Sequence, residues 1–245
     1  MTDGSVQAVV FDLGGVLIDW DPRYLYRRIF DSEEEMEAFL STVCTPEWNA
    51  ELDRGRSFEE MGELLCSEHP ERRDHIEAYH LRWDEMLGES FEGSVRILRD
   101  LHSAGYPLYA LTNWSTETFH IARERYNFLS LFEQIVVSGE AGLVKPDPQI
   151  YDLLVKRTGL DPCRTVFVDD RAENISAAKE RGFTGVLFQE PGQLRRDLTG
   201  LGLLAEPSAG PLRAGHQEDE DEVRAHPTRA SRASWPGPYF YGRGS

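Results

Sequence analysis

Cysteine is scarce in this 245-residue chain, and the three present, Cys44, Cys66 and Cys163, lie far apart with no CxxC pair. That spacing excludes a disulfide framework and a CxxC zinc site, and leaves three reduced structural thiols. Long apolar runs are missing too. None approaches the ~20 residues that a membrane-spanning helix needs, so no membrane association is expected. Residues 1–7 lack the basic start and apolar stretch of a signal peptide, and a cytoplasmic location follows as the expectation. Positive charge is in short supply: 26 Lys and Arg stand against 43 Asp and Glu, a formal net charge of −17. A broad nucleic-acid surface needs clustered Lys and Arg, so that class is excluded. A small anionic substrate is not, because one metal ion or lysine can reverse the field inside a single pocket. Internal repeats are absent. Hydrophobic residues make up 40% of the chain, enough for one sizeable core and a smaller accessory domain. Oligomeric state is not legible.

What the chain does have is a run from Val9 to Leu17 around which the rest is organised. Val9-Val10-Phe11 is short, apolar and rich in β-branched residues, and it ends in Asp12 followed by Leu13-Gly14-Gly15. This reads as a buried strand with a carboxylate at its carboxyl end. Ligands bind at that end of the strands in open α/β sheets. The carboxylate can be a nucleophile or a metal ligand, or it can merely cap the turn.

After Ile18-Asp19-Trp20 the chain leaves the core, with Pro22 in the first turn of a helix capped by Asp21. From Arg23 to Leu87 the pattern is helical, roughly four elements with no strand signal. Ser57-Phe58-Glu59-Glu60 forms a capping box, and another helix is expected from Glu71 to Leu87. From Phe91 onward short apolar runs alternate with helical segments. Strands are expected at Pro107–Leu111, Ile135–Val137, Thr165–Val168 and Thr184–Phe188. Helices are expected at Ser94–Ala104, Ser115–Tyr126, Asp147–Arg157 and Glu173–Arg181. Alternation of this kind means βαβ units and a parallel sheet. The expected fold is therefore α/β, a doubly wound Rossmann-like parallel sheet with an inserted α-helical cap domain. Residues 1–18 and 89–204 would form the core, and 19–88 the cap. Residues 205–245, rich in Pro, Gly, Ser and acidic runs, read as a disordered tail.

Polar residues collect at the carboxyl ends of the expected strands: Asp12, Thr112 with Asn113, and Asp169 with Asp170. Lys145 follows the third strand. A doubly wound sheet brings these ends to one edge. Carboxylates gathered there repel one another unless a cation sits among them, and an all-oxygen set suits Mg²⁺.

The segments Phe11-Asp12-Leu13-Gly14-Gly15-Val16-Leu17, Leu111-Thr112-Asn113, Gly142-Leu143-Val144-Lys145-Pro146-Asp147 and Phe167-Val168-Asp169-Asp170 resemble, in this order, the four motifs of the haloacid dehalogenase superfamily. The likeness spans roughly Val6 to Phe188, and the helical insert resembles that family's small α-helical cap. The resemblance implies an enzyme with Asp12 as nucleophile, forming an aspartyl-phosphate. It implies that Lys145 neutralises charge between Asp12 and the phosphoryl group, and that Thr112 and the Asn113 amide bind phosphoryl oxygens. Mg²⁺ would be held by Asp12, the Gly14 main-chain carbonyl and Asp170, with Asp169 beside it. Asn174 stands where many relatives carry an acid, and would act from behind the ligands. The implied substrate is a small phosphorylated metabolite, with sugar phosphates such as glucose 1-phosphate as the pattern.

One position departs from the family. Most phosphatases of this superfamily carry a second Asp two residues after the nucleophile, which protonates the leaving group. Here it is Gly14. Esters with good leaving groups then become more plausible substrates, unless Asp19 or a cap residue supplies the proton. The departure keeps two rivals in view, a 2-haloacid dehalogenase and a non-catalytic binding module. The Asp169-Asp170 pair favours the phosphatase over the first. Survival of Asp12, Lys145 and Asp170 together argues against the second. Trp48, Trp83 and His80 in the insert are read as packing or surface residues.

Overall fold

A computed structural model describes residues 5–205, so the expected tail lies, but for its first residue, outside the described residues. The strands are β1 (Ala8–Phe11), β2 (Ile18–Trp20), β3 (Leu87–Ser90), β4 (Leu108–Thr112), β5 (Gln134–Val137), β6 (Thr165–Asp169) and β7 (Thr184–Leu187). Five of them form a sheet in the order β5-β4-β1-β6-β7, with every pairing parallel. β1 is buried along its whole length because helices cover both faces, which is why it reads as an unbroken apolar run.

The helices are α1 (Arg23–Tyr26), α2 (Glu33–Thr42), α3 (Pro46–Asp53), α4 (Phe58–Glu68), α5 (Arg73–Leu81), α6 (Glu92–Ser103), α7 (Thr116–Arg125), α8 (Ser138–Ala141), α9 (Pro148–Thr158), α10 (Ala172–Glu180) and α11 (Pro191–Gly200). Strand side chains alternate between faces, and here the alternation separates two apolar layers. Val9, Phe11, Val166 and Val168 pack with Val95 and Leu98 of α6 and Leu194 and Leu198 of α11. Val10 and Phe167 pack on the opposite face with Ile150, Tyr151 and Leu154 of α9 and Ile175 and Ala178 of α10. Tyr26, Met36 and Phe39 of the helical insert join the first of these layers.

The insert departs from expectation at its end. Its last helix is not continuous from Glu71 to Leu87. 3-10 turns at Pro70–Arg72 and Trp83–Met86 flank α5, and the chain then enters β3. Pro70 has no N–H and can only open a helix. At the other end, Leu87 pairs with Trp20 across an antiparallel ribbon of β2 and β3. That pairing requires extended backbone where the helical pattern would have continued. The ribbon is how the insert leaves and re-enters the core. The core departs from the sequence reading at α11, a helix not expected there. Its signal was present in Pro191 at the first turn and in Leu194 and Leu198, four apart and fully buried.

Candidate active site

Register places the site. Phe11 lies opposite both Ala110 of β4 and Val168 of β6, so three strands end at one edge. Asp12 follows β1, Thr112 ends β4 and Asp169 ends β6. Asp12 is anchored by its own backbone, whose N–H donates to the Val168 carbonyl at 2.8 Å. Its Oδ1 accepts from the Leu13 N–H at 2.7 Å.

Lys145 is buried and ties two carboxylates together. Its Nζ lies 2.8 Å from Asp12 Oδ2 and 2.7 Å from Asp169 Oδ2. Burial alone would lower its pKa, but Asp12 and Asp169 more than offset that and raise it, so it stays an ammonium. Asn113 fixes the loop that carries it. The Asn113 side chain donates from Nδ2 to the Lys145 carbonyl at 3.0 Å and accepts the Lys145 N–H on Oδ1 at 2.8 Å. The side-chain amide of Asn113 is thus committed to positioning Lys145.

Asp169 and Asp170 differ, although the sequence presents them as a pair. Asp169 is fully buried, and besides Lys145 it accepts from the Arg171 N–H at 2.9 Å and from Asn174 Nδ2 at 2.9 and 3.1 Å. Asn174 supplies the donor that a second acid in its place could not. Asp170 is less enclosed and lies against Gly15. A Cβ on Gly15 would stand 2.5 Å from Asp170 Oδ2, and the φ of +74° there is one that glycine tolerates best. Glycine at this position lets a carboxylate approach the turn after Asp12.

Oxygens of Asp12, Asp169 and Asp170 all lie within 4.8 Å of one another. Desolvation, then the charges of Asp169 and Asp170, push the Asp12 carboxyl well above the ordinary carboxylate range against the pull of Lys145. Desolvation and Asp169 likewise raise Asp170. One lysine does not balance three carboxylates, so a hard cation fits this donor set.

Beside this cluster is a cavity of about 80 Å³, bordered by Gly14 and Asn113 from the core and by Trp20, Asp53, Phe58 and Trp83 from the insert and its ribbon. Trp83 is buried against Trp114 with ring centroids 5.5 Å apart, so it packs as expected, but it is also part of the cavity wall. Trp48 packs, edge-on to Tyr79. His80 stacks on Phe58 at 4.5 Å. Asp19 is not among the residues lining the cavity; its carboxylate accepts from the Tyr24 hydroxyl.

The family described as haloacid dehalogenase-like hydrolase matches residues 6–182. The chain belongs to the haloacid dehalogenase-like hydrolases. The hydrolase is 29% identical over 187 residues to sesquiterpene phosphatase astK of Aspergillus oryzae, covering 74% of this chain and 89% of that one. It is 25% identical over 207 residues to D-ribitol-5-phosphate phosphatase of Bacteroides thetaiotaomicron, covering 79% and 97%. Other relatives are longer proteins, and the chain covers 36%, 45% and 19% of three of them. Among solved structures, a family enzyme from Bacteroides thetaiotaomicron in complex with magnesium and inorganic phosphate superposes with a TM-score of 0.58 at 21% identity, over 76% of this chain and 96% of that one. A dehalogenase superposes equally well, with a TM-score of 0.58. Likeness at this level establishes the shared α/β fold.

No helix among the described residues is long and apolar enough to cross a membrane. All three cysteines are free.

Proposed function

We propose that this hydrolase is a Mg²⁺-dependent phosphatase of a small phosphorylated metabolite, with Asp12 as its nucleophile. The observation that carries the reading is the cluster of Asp12, Asp169 and Asp170 around a single buried lysine. A carboxylate held at a strand end by its backbone and by Lys145 is fixed for attack on phosphorus. Lys145 would neutralise charge between Asp12 and the phosphoryl group. The Thr112 hydroxyl and the Asn113 main-chain N–H would bind phosphoryl oxygens. Asp12, the Gly14 carbonyl and Asp170 would hold Mg²⁺, with Asp169 keeping Lys145 in place. When bound, Mg²⁺ supplies charge neutralisation at the phosphoryl oxygens. Residues 19–88 would act as a cap that excludes water and selects the substrate. A sugar phosphate is the pattern we propose, and one relative, D-ribitol-5-phosphate phosphatase, is named for a substrate of that kind. Free thiols throughout accord with the cytoplasm.

The dehalogenase rival uses the same nucleophile without a cation. The Asp169-Asp170 pair counts against it, because a reaction that uses no cation leaves three carboxylates gathered within 4.8 Å with only Lys145 to offset them. Phosphate release from a panel of phosphomonoesters, with Mg²⁺ and after chelation, decides the question. Full activity after chelation, or no release from any ester, would sink the proposal.

Two further results are expected. Asp170→Ala should lower Mg²⁺ affinity by more than about 100-fold, the upper end of what loss of a mere supporting group costs. The metal-free variant should melt no lower than wild type, since a carboxylate raised by desolvation and by repulsion from Asp169 is removed. Calorimetric titration and thermal melts measure both, and wild-type affinity in the variant would remove Asp170 from the metal site.

The second concerns pH. Asp12 and Asp170 hold their protons to higher pH than ordinary carboxyls, and a cation must displace those protons. Mg²⁺ affinity should therefore weaken as pH falls from about 8 to about 5, by up to about tenfold per unit for each proton displaced. Proton release on binding should be measurable near neutrality. A flat affinity across that range would mean that these carboxyls do not hold the ion.

A further inference from the structure

Gly14 leaves a gap in the chemistry as well as in the side-chain packing. A Cβ built at Gly14 would meet nothing within 4 Å. Gly14 has an ordinary backbone, and the left-handed conformation belongs to Gly15. The space where an acid would stand is therefore open, and it forms part of the cavity. Among the residues lining that cavity, Asp53 is the one acid. The other lining residues are aromatic or neutral, with Trp20, Phe58, Trp83 and Trp114 forming much of the wall and Asn113 bordering it just past β4.

Asp53 is the last residue of α3, and it is held from both sides. Asn49, one turn earlier, donates from Nδ2 to Asp53 Oδ2 at 3.1 Å. The buried Tyr79 hydroxyl donates in turn to Asn49 Oδ1 at 2.9 Å. On the core side, the Ser138 hydroxyl, at the start of α8 just past β5, donates to the Asp53 carbonyl at 2.6 Å and accepts the Trp114 N–H at 2.8 Å. Just past Asp53 the two backbones nearly touch. A Cβ on Gly55, whose φ is +98°, would stand 2.6 Å from the Gly139 carbonyl oxygen. An acid on the insert is thereby pinned to the same sheet edge that carries Thr112 and Asn113.

We infer that Asp53 is the general acid–base of this hydrolase, working from the insert into the space that Gly14 leaves open. The inference rests on the phosphatase reading. In the first half-reaction a carboxylate oxygen of Asp12 forms a bond to phosphorus, and the bond from phosphorus to the leaving oxygen breaks. The Asp53 carboxyl gives its proton to that oxygen and becomes a carboxylate, and the alcohol departs. In the second half-reaction Asp53 takes a proton from the water that attacks phosphorus. The bond to Asp12 breaks, inorganic phosphate leaves and Asp53 is protonated again. The balance is one ester and one water to one alcohol and one phosphate.

The surroundings of Asp53 suit an acid at neutral pH. Desolvation pushes its carboxyl up to about 7, against an opposing pull from the Lys145 ammonium. Its charged neighbours in the chain, Glu51 and Arg54, pair with each other at 3.2 Å. A catalytic proton is thus available near the operating pH without any residue at position 14.

The test is the dependence of kcat/KM on leaving-group pKa, over phosphomonoesters of similar size from nitrophenyl to alkyl. With Asp53 as acid, wild type should show a shallow slope. Asp53→Asn, of the same shape, should lower alkyl-ester turnover by about 10²–10⁴-fold and nitrophenyl-ester turnover by less than about tenfold, steepening the slope. Adding Gly14→Asp to Asp53→Asn should restore part of the alkyl-ester rate, because the open space accepts the side chain. A steep wild-type slope would mean that nothing protonates the leaving group, and would overturn the inference even if the variant failed to fold. A shallow slope kept by a folded Asp53→Asn would assign the proton to another group and also overturn it. Absence of phosphate release from every ester is a different failure, that of the phosphatase reading itself.

Discussion

Replacing Asp12 by Asn is expected to abolish turnover in a chain that is still folded. The amide keeps the shape of the side chain and its Oδ1, which accepts from the Leu13 N–H. It removes the negative charge and with it the nucleophile. Loss of a nucleophile elsewhere costs roughly 10⁶-fold in kcat, and a fall beyond about 10⁴-fold is expected here. Stability is set by two opposed changes, since the amide Nδ2 stands as a donor against Lys145 Nζ where a carboxylate oxygen accepted. The Asp12 carboxyl is raised by desolvation and by Asp169 and Asp170. A group whose folded pKa is raised stabilises the fold below its unfolded pKa and loses that contribution as pH rises through the folded value. At slightly alkaline pH, without Mg²⁺, the variant is therefore relieved of a charge that wild type must accommodate, while Lys145 keeps Asp169 as partner. Phosphate release by the purified variant, set against thermal melts in chelator, measures both effects. Activity near that of wild type would end the nucleophile assignment, and a large drop in melting temperature would show that Asp12 is structural.

Lys145→Met is expected to produce the largest loss of stability among single changes at this site. Methionine fills similar volume but leaves Asp12 and Asp169 buried together without their shared cation. Removing one partner of a buried ion pair typically costs about 3–5 kcal/mol. The double variant Lys145→Met/Asp169→Asn should recover much of that loss, because it removes the unpaired charge that causes it. It should not recover activity, since nothing then neutralises the space between Asp12 and the phosphoryl group. Denaturant unfolding of wild type, both single variants and the double variant gives the coupling between the two residues. Additive effects would show that the Lys145–Asp169 pair is not what holds this edge of the sheet.

Much of this architecture was legible in the chain because the relevant signals are local. The runs ending at Phe11, Thr112, Val137 and Asp169 are short and apolar, and each is followed by a helical segment. Gly159 closes α9 in the left-handed conformation that glycine favours. A parallel sheet with right-handed crossovers then has to bring Asp12, Thr112, Asn113, Asp169 and Asp170 to one edge. The helical insert was legible as helix but not in its breaks. The 3-10 turn at Trp83–Met86 and the ribbon of β2 and β3 depend on Leu87 finding Trp20, a pairing between residues distant in sequence. Asp53 was illegible for the same reason. In the sequence it stands in Leu52-Asp53-Arg54, at the end of an amphipathic helix, where a charged residue normally faces water. The close approach of Gly55 to Gly139 and the Ser138 bond to the Asp53 carbonyl bring the end of that helix to the core's edge.

The sequence by itself determined the α/β alternation, the membership of the family and which residue types stand at the strand ends. Those follow from periodicity and from motifs that keep their spacing along the chain. The tertiary structure alone decided how those residues divide the work. Asp169 and Asp170 are adjacent in sequence, yet one is fully buried and bonded to Lys145 and Asn174, while the other is half-buried against Gly15. Successive residues leave an extended backbone in opposite directions, so what each one meets depends on elements that reach it from elsewhere in the chain. Those elements are the loop that Asn113 holds against Lys145, the turn at Gly15 and the helix that ends in Asp53.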